Sequence, residues 1–220
     1  LTLQEGDPID YIKRRVRFVY PLFERIFLKA NFVQTISHYL ADFARDMGFQ
    51  GRLEVIPNGV DYKNFQTQVS KSELAELRRE LGIRTIEKVL ITTSRLVPKN
   101  GVGDIIESLK FLSKDIKLLI LGIGPLEEEL KQKVKGLKLE DRVLFLGQIN
   151  YKEIPKYLHI SNIFVRPSLS EGMGNSFIEA MAAGVPVIAT RVGGIPDFLS
   201  DPEQNPDKRP TGLFCEVGDP

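Results

Sequence analysis

The residues Glu171-Gly172-Met173-Gly174-Asn175-Ser176-Phe177-Ile178-Glu179 lie between two short, mainly apolar runs at 162–166 and 186–190. Each run is typical of a buried strand, and the stretch from about 176 to 183 has the pattern of a helix. A strand, a glycine-containing turn, a helix and a second strand make a βαβ unit, which is how parallel sheets are built. This stretch therefore predicts a parallel α/β fold.

The same alternation extends outward over most of the chain. We predict strands at about 88–93, 116–121, 142–146, 162–166, 186–190 and 212–216. We predict helices at about 71–81, 103–112, 125–135, 152–160, 176–183 and 194–199. Nearly continuous apolar strands indicate a sheet that is covered by helices on both faces. The predicted fold class is a Rossmann-like, doubly wound parallel sheet, whose ligands bind beyond the carboxyl ends of the strands.

The N-terminal part follows a different pattern. Residues 10–29 are basic and aromatic at roughly helical spacing, and Pro21 is expected to kink or split that helix. A strand at 31–36, a helix at 38–47 and a strand at 53–56 are predicted next. Residues 60–70 are polar and without a pattern, which indicates a linker.

Composition excludes several classes of protein. The 220 residues carry a net charge of +1, which gives no electrostatic reason to expect nucleic acid as a partner. A single cysteine, Cys215, excludes an intrachain disulfide and favours a reducing, cytoplasmic compartment. No signal peptide and no bilayer-spanning apolar run are recognisable. A start at Leu1 and an end at Pro220 favour a piece of a longer protein.

The carboxylates Glu171 and Glu179 stand at either end of the glycine-containing turn. A helix N-terminus after such a turn attracts anions, and carboxylates beside it can accept hydrogen bonds from hydroxyls. This combination suits a ligand with both phosphate and sugar. The alternatives are a capping box over 176–179, in which Glu179 only closes the helix start, and an ordinary loop carboxylate at Glu171.

Two cations follow the strand at 88–93, in Ser94-Arg95-Leu96-Val97-Pro98-Lys99-Asn100-Gly101. The planar fork of Arg95 and the compact charge of Lys99 suit a pyrophosphate. The alternative is a pair of solvated surface cations. No set of residues has metal-ligand spacing, since His38 and His159 are far apart in sequence.

Two further turns contain glycine. Gly122 and Gly124 resemble the start of a dinucleotide fingerprint, but Glu127 stands where its third glycine belongs, so we predict only a tight strand-to-helix turn. Gln148 and Ile149 follow a strand end, where their backbone could contact a base or form a plain turn.

The basic segment 10–29 allows peripheral contact with anionic lipid, at the inner face of a membrane. The alternative, a helix with one solvated face packed on a core, is the commoner use of a charge run.

Four stretches, in order, resemble the retaining glycosyltransferases of family four, which have the GT-B fold. These stretches are Val55 to Asp61, Ser94 to Gly101, Val143 to Gly147, and Glu171 to Thr190, the last being the family's E-x7-E signature. The resemblance covers about residues 30–220. It implies that the sheet is the C-terminal, donor-binding half of a GT-B fold.

The resemblance implies an activity and the roles of the two glutamates. A sugar would pass from a UDP-, GDP- or ADP-sugar to a glycan, lipid or small-molecule acceptor, with retention of anomeric configuration. Glu171 would hold sugar hydroxyls at the catalytic centre, and Glu179 would hold the ribose. Backbone amides between them would face phosphate and sugar: those of Gly172, Met173, Gly174, Asn175 and Ser176.

It also implies a catalytic role for two cations. Arg95 and Lys99 would stabilise the leaving diphosphate without a metal ion, and the backbone of Gln148 and Ile149 would contact the base. The family places its lysine five residues after the arginine, and Asn100 stands there instead. Either the loop shifts by one residue or Asn100 contributes a hydrogen bond in place of a charge.

The resemblance also predicts domain organisation. Residues 1–58 would be a remnant of the N-terminal acceptor-side domain, 59–86 a linker with a first helix, and 87–220 the truncated nucleotide-sugar-binding domain. Because most of the acceptor side is missing from the chain, we expect it not to transfer sugar alone. Two alternatives remain: a non-catalytic nucleotide-sugar-binding module, and a GT-B sugar-nucleotide epimerase.

Overall fold

The computed structural model describes residues 1–203, 206–207 and 209–220. Within them the chain forms two compact units. The first consists of Leu1–Gly59, Ser170–Asn175 and Arg191–Leu199, and the second of Val60–Leu169, Ser176–Thr190 and Ser200–Pro220.

The first unit contains a three-stranded parallel sheet, in the order β1-β2-β3, among the described residues. Its strands are β1 Thr2–Leu3, β2 Phe32–Thr35 and β3 Arg52–Val55. Its helices are α1 Ile9–Arg15, α2 Tyr20–Lys29 and α3 His38–Asp46. Val33 pairs with Leu53, and Phe27 and Phe43 pack edge to face, 5.6 Å between ring centroids, in the core below the sheet.

The basic segment breaks earlier than predicted. A 3₁₀ turn at Arg17–Val19 separates α1 from α2, and Pro21 lies in the first turn of α2. The first turn of a helix tolerates proline because its N–H groups have no partner within the helix. One other prediction is wrong, since the helix predicted near 194–199 is only a 3₁₀ turn at Ile195–Asp197. The strand β1 has no counterpart among the predicted elements.

The second unit contains a parallel sheet of six strands, ordered β6-β5-β4-β7-β8-β9, within the described part of the chain. The strands are β4 Lys88–Thr93, β5 Ile116–Leu121, β6 Val143–Gly147, β7 Ile163–Arg166, β8 Val187–Thr190 and β9 Gly212–Cys215. Its helices are α4 Tyr62–Phe65, α5 Lys71–Glu80, α6 Val102–Ser108, α7 Glu127–Gly136, α8 Ile154–His159 and α9 Asn175–Ala182. This is the doubly wound order, so the predicted fold class is confirmed.

Strand order determines where a ligand can bind in the second unit. The chain runs from β4 outward to β6, then returns beside β4 at β7 and continues to β9. The connections β4–β5 and β5–β6 therefore lead to one side of β4, and the connections β7–β8 and β8–β9 lead away on the other side. A crevice opens at such a switch point, past the carboxyl ends of the strands.

Two local predictions in the second unit differ from the structure. The patternless stretch 60–70 contains α4, because the Asp61 carboxylate caps the helix by accepting from the Asn64 N–H and because Phe65 is fully buried. The helix predicted to reach 112 ends at Ser108, and its chain continues in tight i→i+3 turns from Glu107 onward.

Candidate active site

A cavity of about 930 Å³ opens at the switch point of the second unit. Its lining comes from the residues just after β4, β5 and β6, from the end of β7 and from the start of α9. The volume is that of a site for a drug-sized or nucleotide-sized molecule. Of the predicted residues, the cavity brings together Arg95, Gln148, Ile149, Ser176 and Glu179.

Close backbone contacts build one wall of the cavity. Gly122 has φ 135°, and a Cβ there would lie 1.9 Å from the Ser94 carbonyl oxygen. Its N–H donates to the Gly147 carbonyl, 2.7 Å away. The turn after β5 is thus pressed against the turns after β4 and β6, which is the tight-turn role predicted for this glycine pair.

The loop after β4 presents its two cations differently. Arg95 is exposed and lines the cavity, whereas Lys99 and Asn100 are not among the described lining residues. The buried Asn100 side chain donates from Nδ2 to the Arg95 carbonyl oxygen, 2.6 Å away. Asn100 therefore supports the backbone that carries Arg95 in this structure.

The start of α9 lines the cavity with Ser176. The helix begins at Asn175, so Ser176 is its second residue rather than its N-cap. Ser176 Oγ accepts a hydrogen bond from Arg166 Nη1, 2.7 Å away. The capping-box alternative does not fit this geometry, since that motif requires the serine at the N-cap.

Glu179 lies one turn further along α9, half buried, and lines the same cavity. Burial raises the pKa of the Glu179 carboxyl, and the positive charge of Arg166 partly offsets that rise. A glutamate with a raised pKa in a cleft is a marker of a functional site.

Arg166 is a cavity residue that is not among the predicted site residues. It is only 6% exposed, and its guanidinium carbon lies 4.2 Å from the centroid of the Phe177 ring. It lines the cavity together with Ser176 and Glu179. The sequence contains one signal for it, a charged residue directly after the apolar run Ile163-Phe164-Val165. A cation at the end of a buried strand is expected to bind polar partners, because a buried charge without them is costly.

The glycine-rich turn before α9 belongs to the first unit. Gly172 donates its N–H to Glu171 Oε1, 3.1 Å away, and a Cβ on Gly172 would lie 2.3 Å from the Glu5 carbonyl oxygen. The Asn58 N–H points at Met173 Sδ, 3.3 Å away. Residues 170–175 belong to the first unit, and residues 176–190 belong to the second.

The two histidines have structural contacts. The His38 ring Nδ1 lies 3.2 Å from Asp197 Oδ2, and the same carboxylate oxygen accepts the His38 backbone N–H at the start of α3. His159 Nε2 is 3.2 Å from the Phe65 carbonyl oxygen. No group of three or more His, Cys, Asp or Glu suited to a metal ion occurs within residues 1–203, 206–207 and 209–220.

Comparison with known proteins identifies the family. The family model described as "Glycosyl transferases group 1" matches residues 74–220. The chain belongs to the glycosyl transferases group 1 family. This membership confirms the resemblance recognised in the sequence, and the parallel sheets agree with the GT-B fold of related structures.

Two curated relatives and one solved structure show the extent of the likeness. N-acetyl-alpha-D-glucosaminyl L-malate synthase of Bacillus anthracis is 34% identical over 194 residues, which are 87% of this chain and 48% of the relative. Alpha-monoglucosyldiacylglycerol synthase of Streptococcus pneumoniae is 30% identical, over 75% of this chain and 38% of the relative. HepE of Anabaena, solved in complex with UDP-glucose, gives a TM-score of 0.82 at 25% identity, over 99% of this chain and 58% of HepE.

This group 1 chain spans about half the length of the curated relatives it matches. Among its described residues, none of the helices combines the length and the apolar character that crossing a bilayer requires.

Proposed function

We propose that this chain carries the donor site of a retaining glycosyltransferase and binds the nucleoside diphosphate part of a UDP-, GDP- or ADP-sugar in the switch-point cavity. The observation that carries the proposal is the placement of Arg95, Ser176 and Glu179 around one cavity at the carboxyl ends of the strands. The phosphates of such a ligand would contact the cation Arg95, and its ribose hydroxyls would donate to the carboxylate of Glu179.

We further propose where each part of the ligand binds. Gln148 and Ile149 follow β6, the edge strand of the sheet, whereas Arg95 follows the central strand β4. Glu179 lies on α9, which follows β7, the strand on the other side of β4 from β6. The base would contact Gln148 and Ile149, the phosphates would lie toward Arg95, and the ribose hydroxyls would reach Glu179. The complex of HepE with UDP-glucose supports a ligand of this class.

The remaining residues complete the proposal. Glu171 would hold sugar hydroxyls, the amides of residues 172–176 would face phosphate and sugar, and Lys99 would assist Arg95. The fixed charge of Arg95 and the N-terminus of α9 would stabilise the leaving diphosphate, so that no metal ion is required. The acceptor would be a glycan, a lipid or a small molecule.

Arg95→Gln tests the phosphate end. We expect UDP, GDP or ADP to bind the 220-residue chain in calorimetry with EDTA present, and the variant to bind at least about tenfold more weakly, because one charge-assisted contact is lost. Arg79→Gln is the matched control, since Arg79 is an exposed arginine of the same unit paired with Glu76. Binding of none of the three nucleotides by the unaltered chain would contradict the donor-site proposal, and an equal loss in both variants would contradict the role of Arg95.

We also propose that the segment 10–29 contacts an anionic membrane surface. Phe18 is 83% exposed, Leu22 65% and Ile26 51%, at intervals of four residues. Six cations share this segment: Lys13, Arg14, Arg15, Arg17, Arg25 and Lys29. Exposed apolar side chains with flanking cations match a surface of hydrocarbon below anionic headgroups.

Phe18→Ser tests this contact. We expect the chain to sediment with phosphatidylglycerol-containing vesicles but not with pure phosphatidylcholine, and the variant to bind about tenfold more weakly because one aromatic side chain no longer enters the bilayer interface. Phe111→Ser is the matched control, since Phe111 is 73% exposed but lies in the second unit. Equal binding to both vesicle types, no binding, or an equal loss in the control would refute the contact.

A further inference from the structure

We propose that Arg166 is a positioning residue of the cavity, which holds Ser176 at the start of α9 and keeps the Glu179 carboxylate ionised to receive ribose hydroxyls. The ribose part of this inference rests on the proposed function. The effect of Arg166 on Glu179 does not, because it concerns the ligand-free chain.

The burial of Arg166 is the first step. A guanidinium that is only 6% exposed has lost most of its water, and such a charge is retained at a cost unless hydrogen bonds and opposite charge replace the water. Its Nε donates to Ser168 Oγ at 3.2 Å and its Nη1 donates to Ser176 Oγ at 2.7 Å. The guanidinium plane also packs on the Phe177 ring. These contacts fix the charge in one position.

The second step is the link to α9. Arg166 ends β7, whereas Ser176 and Phe177 are the second and third residues of α9. One side chain therefore joins the end of a central strand to the first turn of the helix that carries Glu179. Residues three apart on a helix share a face, so Glu179 lies above Ser176 and toward the same guanidinium.

The third step concerns the charges around Glu179. Arg166 faces it from β7, and Tyr151, whose pKa is raised by burial and by the Glu179 charge, faces it from the loop after β6. Arg95 and Glu127 line the same cavity from the loop after β4 and from α7. Burial raises the pKa of Glu179, and Arg166 opposes that rise. Without Arg166, protonation of the carboxyl would begin at higher pH.

Ionisation of Glu179 matters because a carboxylate accepts two hydroxyl hydrogen bonds, whereas a protonated carboxyl has one oxygen that donates. Nucleotide affinity should therefore fall as the pH drops through the pKa of Glu179. Removal of Arg166 should move this fall to higher pH.

The first test needs no ligand. In the 220-residue chain, the Glu179 carboxyl carbon is titrated by NMR in the unaltered protein and in Arg166→Met, Arg166→Lys and Arg142→Met. We expect a higher pKa in Arg166→Met and a return toward the original value in Arg166→Lys, which keeps the charge. Arg142 is the matched control, since it is a partly buried arginine that donates to the carbonyls of Leu109 and Ile116 and is not a described lining residue.

The second test uses UDP. We expect its affinity at pH 7 to fall about tenfold in Arg166→Met, with the loss on acidification beginning at higher pH, and to recover in Arg166→Lys. We expect Arg142→Met to lower the melting temperature without moving the pH dependence of UDP binding.

The outcomes separate the two ideas. An unchanged Glu179 pKa in folded Arg166→Met overturns the positioning role, whether or not UDP binds. A shifted pKa together with no UDP binding by the unaltered chain supports the positioning role and contradicts the proposed function. Should Arg166→Met fail to fold, the Nε–H resonance of Arg166 in the unaltered chain decides: it must follow the Glu179 titration with the same midpoint, and a resonance that does not follow it refutes the proposal.

Discussion

Gly122→Ala is expected to lower the free energy of unfolding of the second unit by about 2–5 kcal/mol. Gly122 has φ 135°, a backbone conformation that side-chain-bearing residues rarely adopt. An added Cβ would lie 1.9 Å from the Ser94 carbonyl oxygen, which belongs to the backbone and has no side-chain freedom with which to move away. Relief of the clash requires the turns after β4 and β5 to separate.

Gly122→Ala should also change the shape of the cavity, because the turns that it separates line the cavity. Ser94 donates its N–H to the Leu121 carbonyl at 3.0 Å, and Gly122 donates to the Gly147 carbonyl at 2.7 Å. Separation of these turns would displace Arg95, which follows Ser94 directly. We therefore expect nucleotide affinity to fall together with stability.

Gly136→Ala is the matched control for this effect. Gly136 ends α7, and an added Cβ would meet nothing within 4 Å. Alanine is favoured over glycine in a helix by up to about 1 kcal/mol, so the control should be neutral or slightly more stable. Urea denaturation followed by circular dichroism measures the loss, and amide exchange in β4 and β5 locates it. Similar stabilities of the two variants would contradict the close approach at Gly122.

Glu179→Gln is expected to weaken UDP binding by about ten- to a hundredfold while leaving the affinity for inorganic pyrophosphate unchanged. The carboxylate would accept hydrogen bonds from ribose hydroxyls, and pyrophosphate has none. The amide keeps the shape of the side chain but loses the charge and one acceptor. Calorimetry with the two ligands therefore separates the ribose end of the cavity from the phosphate end.

Stability provides an internal control. Burial raises the pKa of Glu179 above its value in the unfolded chain, so the folded state holds the proton more tightly. The stability that this residue contributes is present at low pH and is lost as the pH rises through the raised pKa. Above that raised pKa the ionised group costs stability, so there Glu179→Gln should be at least as stable as the unaltered chain. A loss of stability, or an equal loss of pyrophosphate affinity, would contradict this role.

Several features of the candidate site could be predicted from the sequence. Arg95 and Gln148 follow predicted strand ends, and Glu179 lies in the predicted helix after a strand. The structure places all three on one cavity. Such positions are determined by local hydrophobic periodicity, and in a parallel sheet the strand ends meet at one edge.

Other features could not be predicted. The sequence shows Ser176 and Glu179 at capping-box spacing, but the helix begins at Asn175, and the Ser176 hydroxyl is bound by Arg166. Neither fact follows from the local pattern, since the partner lies ten residues away on a strand. Likewise, the sequence leaves open whether Asn100 or a shifted Lys99 serves the phosphate, and it does not show that the buried Asn100 side chain donates to the Arg95 carbonyl oxygen.

The family and the parallel α/β class follow from the sequence alone, because motifs, alternating apolar runs and turn residues are local signals that give the order of strands and helices. The folded structure is needed to show the strand order β6-β5-β4-β7-β8-β9, the crevice at its switch point and the burial of Arg166 at that crevice. It also shows that residues 170–175 pack in the N-terminal unit, whereas residues 176–190 pack in the second. These features depend on contacts between residues far apart in the chain, and the energy of such contacts is set by packing and burial, which no local pattern contains.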